Sequence, residues 1–578
     1  MLSRFVAFTS LGRKALPNQY DLFAFALILA AFIAITRVSH GLTLPQTAPE
    51  STVVSLDYML LPYYALRTTL RMFAAIAASL VFTFVYATLA AKSRRAALVL
   101  IPLLDVLQSV PILGFLSFTV TFFLGLFPGS ILGAECAAVF AIFTSQAWNM
   151  SFSFYLSLRS VPRDLIEVAR GFGLSGWQRF WQLETPFAMP GLIWNMMMSM
   201  SGGWFFVVAS EAISVGDTTI KLPGIGSYLA LAIEEKRIDA VFAAVVAMLA
   251  VILAYDQLLF RPLVAFAARF RVELSAGQVQ EKSFVGNVFA RTRWMRASMR
   301  APAQMLHAIA LLRMELPVRS SPFVPQSPAL SRVIDILWVA CLGLGTVWAL
   351  WLIVDYVRQE LSWSDFWQSV LYTLFTMMRV VLLMALATLV WVPAGIWIGL
   401  RPALAGKVQP LAQFLAAFPA NVIFPVAVVL ILKFSLNPDI WLSFLIIFGT
   451  QWYILFNVIA GASAFPNDLK EAVANFRVRG WDWWKNVIIP AIFPYYVTGA
   501  LTASGGSWNA AIVAEYVKWG GDTVSAHGIG AYIAKATVDG DYPKIVLGVA
   551  VMSIFVIMFN RLLWRPLYDL AERRLRLD

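Results

Sequence analysis

The chain carries one stretch twice, as VPRDLIEVARGFGLSGWQRFWQLETP at residues 161–186 and as FPNDLKEAVANFRVRGWDWWKNVIIP at residues 465–490. The two copies start 304 residues apart and share a Glu, a Gly-Trp pair and a final Pro in the same register. Each copy is too polar to cross a membrane and too regular for a loose loop, and its Pro, Asp and Gly residues are typical of a short helix with defined ends. The stretch therefore predicts a duplicated, structured connection between longer elements.

The duplication extends beyond this stretch in both directions. A shift of 304 residues aligns further positions on the C-terminal side, and a shift of 308 aligns two on the N-terminal side. The aligned pairs are Gly202 with Gly506, Trp204 with Trp508, Glu211 with Glu515, Gly224 with Gly528, Gly226 with Gly530, Pro262 with Pro566, Arg71 with Arg379 and Pro111 with Pro419. An apolar composition aligns Leu with Leu by chance, but it does not align charged, Gly, Trp and Pro positions. The chain is therefore predicted to consist of two homologous halves.

The composition is that of a polytopic membrane protein. Of the 578 residues, 60% are hydrophobic and only 13% are charged, and the mean hydropathy is +0.74, values that water-soluble domains do not reach. The net charge of +12 is spread over short stretches between apolar runs, which indicates cytoplasmic loops and argues against nucleic-acid binding. Two cysteines and three histidines, all far apart, argue against a disulfide framework and a metal site.

About twelve apolar runs approach the roughly 20 helical residues that cross a hydrocarbon core. They lie near residues 21–37, 68–91, 97–123, 132–157, 187–214, 239–260, 334–354, 369–399, 409–432, 440–462, 491–516 and 545–564. The predicted fold is an all-α polytopic membrane protein of two six-helix halves in a parallel repeat. The predicted boundaries are 1–264 for the first half, 265–332 for a cytoplasmic linker and 333–578 for the second half.

Basic residues decide the predicted orientation, because Lys and Arg are enriched in cytoplasmic loops. They fall on alternate connections, at Arg13 and Lys14, at Lys92, Arg94 and Arg95, at Arg159, Arg163, Arg170 and Arg179, and at Arg261, Arg269 and Arg271. Both chain ends and both copies of the duplicated stretch are therefore expected on the cytoplasmic side. Within the linker, residues 292–316 alternate Arg with apolar residues, which predicts either an interfacial helix or a solvated connector.

The duplicated stretch resembles the signature loop of bacterial ABC-importer permeases, which reads Glu-Ala-Ala, three residues, Gly, nine residues and Ile-x-Leu-Pro. Both copies keep this spacing, but Arg477 stands where the family has Gly. The resemblance implies two coupling helices that dock on a partner ATPase, with the residues Glu167, Val168, Ala169, Gly173 and Pro186 in one and Glu471, Ala472, Val473, Arg477 and Pro490 in the other. Because Arg tolerates a left-handed backbone poorly, we expect a different turn or a weaker dock in the second loop.

The fifth helices narrow the resemblance to a subgroup. Each has a Trp, then a Glu beside an Ala, and then a Gly-Ile-Gly, at residues 202–226 and 506–530. This order is similar to that of permeases for nitrate, sulfonate and taurine, which implies a fused double permease for a small anion. A fused permease for ferric iron or thiamine is the alternative, and the residues alone do not identify the substrate.

Six residues in the apolar spans are candidates for a translocation path or its gate, namely Glu211, Glu515, Arg71, Arg379, Trp204 and Trp508. A carboxylate in an apolar helix is costly unless it is paired, wetted or protonated. Each Glu is predicted to pair with the Arg of its own half, and such a pair can also hold a gate shut. Glycines at 202, 203, 505 and 506 are expected to allow close helix packing, with pore lining as the second possibility, and Pro111 and Pro419 are expected to kink their helices.

No stretch matches the phosphate-binding loop of ATPases, so the chain is predicted to have no enzymatic activity and no cofactor of its own. The resemblance implies a cytoplasmic ABC ATPase dimer that binds ATP and Mg, an extracytoplasmic solute-binding protein, and residence in the bacterial inner membrane. A transporter driven by protons or sodium is the alternative from another class. It would use Glu211 or Glu515 to couple the ion, but it would leave the duplicated loops without a purpose.

Overall fold

A computed structural model describes residues 54–215, 218–267, 300–313, 328–463, 465 and 467–574. Within those residues, nine helices are long and apolar enough to cross a membrane. The predicted class, an all-α polytopic membrane protein, is confirmed. The predicted span near 21–37 lies outside the described residues.

The first element in the described part of the first half is a 3-10 turn at Tyr58–Leu60. Its helices are α1 (Leu61–Lys92), α2 (Arg94–Ser109), α3 (Ile112–Leu126), α4 (Ile131–Arg159), α5 (Arg163–Gly171), α6 (Gly176–Glu211), α7 (Ile225–Glu234) and α8 (Ile238–Ala267). Strands β1 (Ala212–Val215) and β2 (Thr218–Lys221) form an antiparallel hairpin between α6 and α7, with Ile213 paired to Ile220.

Helix α9 (Arg300–Leu311) lies within the predicted linker. The helices of the second half are α10 (Pro328–Glu360), α11 (Trp363–Gly399), α12 (Pro402–Ala417), α13 (Phe424–Lys433), α14 (Pro438–Phe448), α15 (Gln451–Ser463), α16 (Asn467–Asn475), α17 (Gly480–Ala514), α18 (Ile529–Asp539) and α19 (Tyr542–Ala571). Strands β3 (Tyr516–Trp519) and β4 (Asp522–Ser525) form the second antiparallel hairpin, with Val517 paired to Val524. The order of elements from α11 onward repeats that from α1 onward, except that α14 and α15 together correspond to the unbroken α4.

Two predicted spans are interrupted instead of kinked. The span at 97–123 is divided into α2 and α3 at Pro111, and the span at 409–432 is divided into α12 and α13 at Pro419, where a 3-10 turn covers Ala420–Val422. A proline has no N–H to continue a helix and pushes the preceding residue towards an extended conformation. The two interruptions leave the N-termini of α3 and α13 inside the helical bundle.

Wide π-helical turns interrupt four of the long helices, at Phe180–Glu184, Asp256–Phe260, Trp484–Ile488 and Asn560–Trp564. A proline follows each turn by two residues, at Pro186, Pro262, Pro490 and Pro566. Proline removes one helical hydrogen bond and its ring crowds the preceding turn, and a wider turn accommodates both effects. The helices of the predicted fifth spans near 187 and 491 therefore continue in the N-terminal direction through these turns, and α6 and α17 begin at Gly176 and Gly480.

Helices pack around the fourth and fifth spans of each half. Helix α4 lies against α1 and α6, and α15 lies against α11 and α17. Between the halves, α6 contacts α12 and the turn after Pro419, and α17 contacts α3. Each interruption therefore lies against the fifth helix of the opposite half.

Candidate functional site

The first duplicated loop forms the short helix α5 and then a tight left-handed turn. The N–H of Gly173 donates to the carbonyl of Arg170 at 2.9 Å, the N–H of Leu174 donates to the carbonyl of Ala169 at 3.1 Å, and Gly173 has a φ of 66°. These bonds satisfy the carbonyls at the end of the helix and reverse the chain. Glu167 is exposed on this helix, whereas Ala169 is buried.

The second loop forms the same turn, which corrects one expectation. After α16, the N–H of Arg477 donates to the carbonyl of Ala474 at 3.1 Å, and the N–H of Val478 donates to the carbonyl of Val473 at 3.2 Å. Arg477 has a φ of 52°, so the prediction of a different turn was wrong. A left-handed conformation costs a residue with a Cβ roughly 1–2 kcal/mol, and the hydrogen bonds of the helix end offset that cost.

Each loop also presents an aromatic ring that the sequence analysis did not single out. Phe172 is 79% exposed and Phe476 is 82% exposed, and both directly precede the left-handed residue. Val168, one turn earlier on α5, is also exposed. Large exposed apolar side chains among polar ones are typical of a surface that another protein covers. The signal in the sequence was the recurrence of Phe at the same place in both copies.

The first loop is anchored by ion pairs. Glu184 accepts hydrogen bonds from Nζ of Lys92 at 2.6 Å and from Nε of Arg179 at 2.9 Å. These contacts join the base of α6 to the end of α1. At the position equivalent to Glu184 the second half has the buried Ile488, so this anchor belongs to one half.

The linker helix α9 is also attached to the first loop. Trp177 Nε1 and Gln178 Nε2 donate to the carbonyls of Ile309 and Leu311 at the end of α9, each at 2.8 Å. The equivalent residues of the second loop are an exposed Trp481 and Asp482. Residues 300–311 of the predicted linker therefore form a helix, and this helix contacts the loop that the resemblance assigns to coupling.

The buried charges of the first half form one network between α1, α4 and the end of α6. Arg71 donates to Glu211 at 2.6 Å and to the two carboxylate oxygens of Glu135 at 2.5 and 2.6 Å. Arg67 donates to Glu135 at 2.9 Å. All four side chains are buried. The predicted pair of Arg71 and Glu211 is present, and Glu135 is a partner that the sequence analysis missed.

The Gly-x-Gly motif holds Glu211 against the start of α7. The N–H of Gly226 donates to one oxygen of Glu211 at 2.7 Å, and the hydroxyl of Thr68 donates to the other at 2.7 Å while accepting the N–H of Ile225 at 3.0 Å. A Cβ on Gly224 would lie 2.3 Å from the carboxyl carbon of Glu211, and one on Gly226 would lie 2.5 Å from a backbone oxygen of α6. The motif needs glycine because the carboxylate and the backbone occupy that space.

The second half repeats this arrangement around Glu515. Arg379 donates to Glu515 at 2.9 Å, the hydroxyl of Thr376 donates to it at 2.8 Å, and the N–H of Gly530 donates to it at 2.8 Å. Arg379 also pairs with Asp439 at 2.8 Å. The predicted pair of Arg379 and Glu515 is therefore present as well.

The second network differs at its outer edge. Asp439 takes the place of Glu135, and Phe375 takes the place of Arg67. In place of that arginine, the backbone N–H of His527 donates to Asp439 at 2.7 Å, and a ring nitrogen of His527 lies 3.0 Å from the same carboxylate. Among the described residues, His, Cys and carboxylate side chains do not gather in any group that could hold a metal ion.

The two candidate tryptophans are buried within their own halves. The ring of Trp204 lies 5.7 Å from that of Tyr255, and the ring of Trp508 lies 6.5 Å from that of Phe559. These contacts join the fifth and sixth spans of each half, α6 to α8 and α17 to α19. The observed contacts of both tryptophans are packing contacts.

The glycines of the fifth spans have two different surroundings. A Cβ on Gly203 would lie 2.7 Å from the amide nitrogen of Gln146, and one on Gly506 would lie 2.8 Å from the side chain of Thr450. A Cβ on Gly202 or Gly505 would meet nothing within 4 Å. The expected packing role therefore fits one glycine of each half, and the other faces open space.

The second hairpin crosses to the first half. The N–H of Gly520 donates to the carbonyl of Ile233 at 2.9 Å, and Nζ of Lys236 pairs with Asp522 at 2.7 Å. A Cβ on Gly520 would lie 2.2 Å from the side chain of Lys236. Strand β1 in turn contacts α18 of the second half. The hairpins therefore join the halves at the ends of α6 and α17.

Comparison with known families gives two matches along the chain. Residues 84–261 and 391–577 each match the family described as binding-protein-dependent transport system inner membrane component, and together they cover more than half of the chain. Each match contains one duplicated loop and one fifth span.

Several curated proteins are similar to this chain. It is 30% identical over 207 residues to the bicarbonate transport system permease protein of a Synechocystis species, which covers 36% of this chain and 69% of that protein. It is 25% identical over 226 residues to the nitrate import permease protein of Leptolyngbya laminosa, covering 39% and 76%. It is 32% identical over 137 residues to the glycine betaine/proline betaine transport system permease protein of Escherichia coli, covering 24% and 36%.

Proposed function

Because this chain belongs to the family of binding-protein-dependent transport system inner membrane components, we propose that it is the membrane subunit of an ATP-driven importer with both permease halves on one polypeptide. The observation that carries the proposal is the pair of duplicated loops. Both have a short helix, a left-handed turn and an exposed phenylalanine at equivalent positions. A dimeric ATPase presents two equivalent surfaces, and this chain offers one loop to each.

We place both loops and both chain ends on the cytoplasmic side, where the partner ATPase binds ATP and Mg. The basic residues around the loops support this orientation. The hairpins lie at the other ends of α6 and α17, so they would face an extracytoplasmic solute-binding protein. Their contacts across the two halves correspond to a path that is closed on that side.

The fifth span of the first half connects the loop on one side of the membrane to the buried network near the other side. Helix α6 has 36 residues and is about 54 Å long at 1.5 Å per residue, which exceeds the thickness of a bilayer with its interfacial regions. The network at Glu211 ties the far end of α6 to α1 and α4. A displacement of the loop at the near end would therefore move these helices as one body, and the two halves would rock against each other in alternating access.

For the substrate we propose a small oxyanion such as bicarbonate or nitrate. The names of two groups of relatives support this class, and those matches cover about two thirds or more of each relative shown above. The betaine permease is matched over only 36% of its length, so this match supports membership of the family more than it supports a betaine as the solute. A fused permease for ferric iron or thiamine is the alternative.

The network also bears on the ion-coupled alternative. Glu211 accepts hydrogen bonds from Arg71, Thr68 and Gly226, and Glu515 accepts the equivalent three. A carboxylate that couples to protons or sodium must release its partners to bind the ion. The complete set of partners at both positions supports a structural role and favours the ATP-driven importer.

The test is uptake by proteoliposomes that contain this chain together with a candidate ATPase and a candidate binding protein from the same genome. We expect labelled bicarbonate or nitrate to enter only with ATP and the ATPase. The double variant Phe172→Ala, Phe476→Ala is expected to reduce ATPase binding and uptake at least ten-fold. The control Phe434→Ala removes an equally large ring that is 61% exposed outside both loops, and it should leave both quantities unchanged. Uptake that proceeds without ATP would contradict the proposed function.

A further inference from the structure

The interface between the halves is asymmetric where the fifth span of one half meets the fourth span of the other. Ser201 of α6 hydrogen-bonds to the hydroxyl of Tyr453 of α15, and these residues are only 6% and 7% exposed. The repeat places Gly505 at the position of Ser201 and Asn149 at the position of Tyr453. Glycine has no side chain to reach across, so the contact that closes one side of the interface cannot form on the other.

The side that lacks this contact contains free space. A Cβ on Gly505 would meet nothing within 4 Å, and both Gly505 and Asn149 are partly exposed. Gln108, near the end of α2 and just before the interruption at Pro111, is exposed and donates to Asn149 at 2.7 Å. An amide within the spans faces a water-filled space in preference to lipid, because lipid tails cannot form hydrogen bonds.

The second half completes the rim of this space with Asn509. Its side-chain oxygen accepts the N–H of Ile112, the first residue of α3, at 2.8 Å, and its amide nitrogen donates to the carbonyl of Gly505 at 3.3 Å. Asn509 lies one helical turn beyond Gly505, so this bond across the halves holds both residues beside the interruption at Pro111. Asn and Gln side chains each offer hydrogen-bond donors and an acceptor and carry no charge.

We infer that the solute crosses on this side of the interface, through an opening bounded by Gln108, Asn149, Gly505 and Asn509, and that the side of Ser201 and Tyr453 is closed. The inference rests on the proposed function and narrows it to a route. The amide N–H groups can donate to the oxygens of a small oxyanion as it passes. Uncharged donors bind an anion weakly enough to release it, whereas an arginine at the same place would hold it.

The first test fills the opening. Gly505→Leu adds a side chain at a position where a Cβ would meet nothing within 4 Å, and we expect at least a ten-fold loss of ATP-dependent uptake while the ATPase still binds. The matched control is Gly343→Leu in α10, because a Cβ on that exposed helical glycine also meets nothing within 4 Å. The control should transport at the rate of the unmodified protein. Ser201→Ala, which removes the contact on the closed side, should change uptake less than two-fold.

The second test covers the case in which Gly505→Leu fails to assemble. Asn149→Asp keeps the size of the side chain but adds a negative charge at the rim, and we expect bicarbonate uptake to fall about ten-fold. Normal uptake by Asn149→Asp, or by a folded Gly505→Leu variant, would overturn this route. If the unmodified protein shows no ATP-dependent uptake, the proposed function fails instead, so the two failures are distinguishable.

Discussion

Replacement of Arg71 by methionine should show how strongly the buried network holds the first half together. Arg71 bridges α1 to Glu135 on α4 and to Glu211 on α6 with three hydrogen bonds of 2.5 to 2.6 Å. Methionine has a similar length but no charge, so Glu211 is left without its cation, whereas Glu135 keeps Arg67. Loss of one partner of a buried ion pair costs about 3–5 kcal/mol.

This cost can be converted into a shift of the apparent Tm. For domains of 150–250 residues, 1 kcal/mol corresponds to a shift of about 2–4 °C, so Arg71→Met should unfold about 10 °C below the unmodified protein. The assay is thermal unfolding in detergent, followed by the fraction that remains monodisperse on size exclusion. Adding Glu211→Gln removes the uncompensated charge and should restore at least half of the loss.

The matched control is Arg261→Met. Arg261 pairs with Asp256 at 3.3 Å, and their side chains are 44% and 30% exposed, so the expected loss is below about 1 kcal/mol. This role of Arg71 is refuted if Arg71→Met unfolds within about 2 °C of the control, or if the added Glu211→Gln lowers the apparent Tm further.

Four more variants can be measured by the same unfolding assay. Gly528→Ala places a Cβ 2.2 Å from a carboxylate oxygen of Glu515, so it must displace that carboxylate from hydrogen bonds worth roughly 1.5–3 kcal/mol each. The control Gly521→Ala adds a Cβ that meets nothing within 4 Å, so it should not change the apparent Tm. Equal shifts of the apparent Tm in the two variants would contradict this role of Gly528. Arg477→Gly should stabilise the second loop by up to about 1 kcal/mol because it relieves a left-handed conformation, and Gly173→Ala should cost a similar amount. Destabilisation by Arg477→Gly would mean that the arginine side chain contributes contacts of its own.

The sequence predicted the helical spans and the duplication because both rest on patterns that survive without atomic detail. A run of about 20 apolar residues is itself the requirement for a helix that crosses the hydrocarbon core. The pairing of Arg71 with Glu211 was predictable because a charge within such a run needs a partner and the repeat offered one in each half. Glu135 was missed, although Asp439 lies 304 residues later and the same comparison of halves would have found it.

Other features depended on local geometry that a linear pattern does not contain. The strands have four residues each, too few for an alternating pattern to stand out from the ends of the helices. The turn at Arg477 forms because the end of α16 requires it, and this context overrides the ordinary preference of the residue. Helices α6 and α17 extend further towards the N-terminus than the predicted apolar spans, because a wide turn lets each helix continue past its proline.

The contact of Ser201 with Tyr453 has a consequence for the gene that encodes the two halves. A homodimer of first halves would set Ser201 against Asn149 on both sides of its axis, and a homodimer of second halves would set Gly505 against Tyr453 twice. Neither symmetric assembly has a serine–tyrosine contact on one side of the axis and a glycine beside an asparagine on the other. Because each half has its own coding sequence, a substitution in one copy is not repeated in the other, and the two sides of the axis can differ.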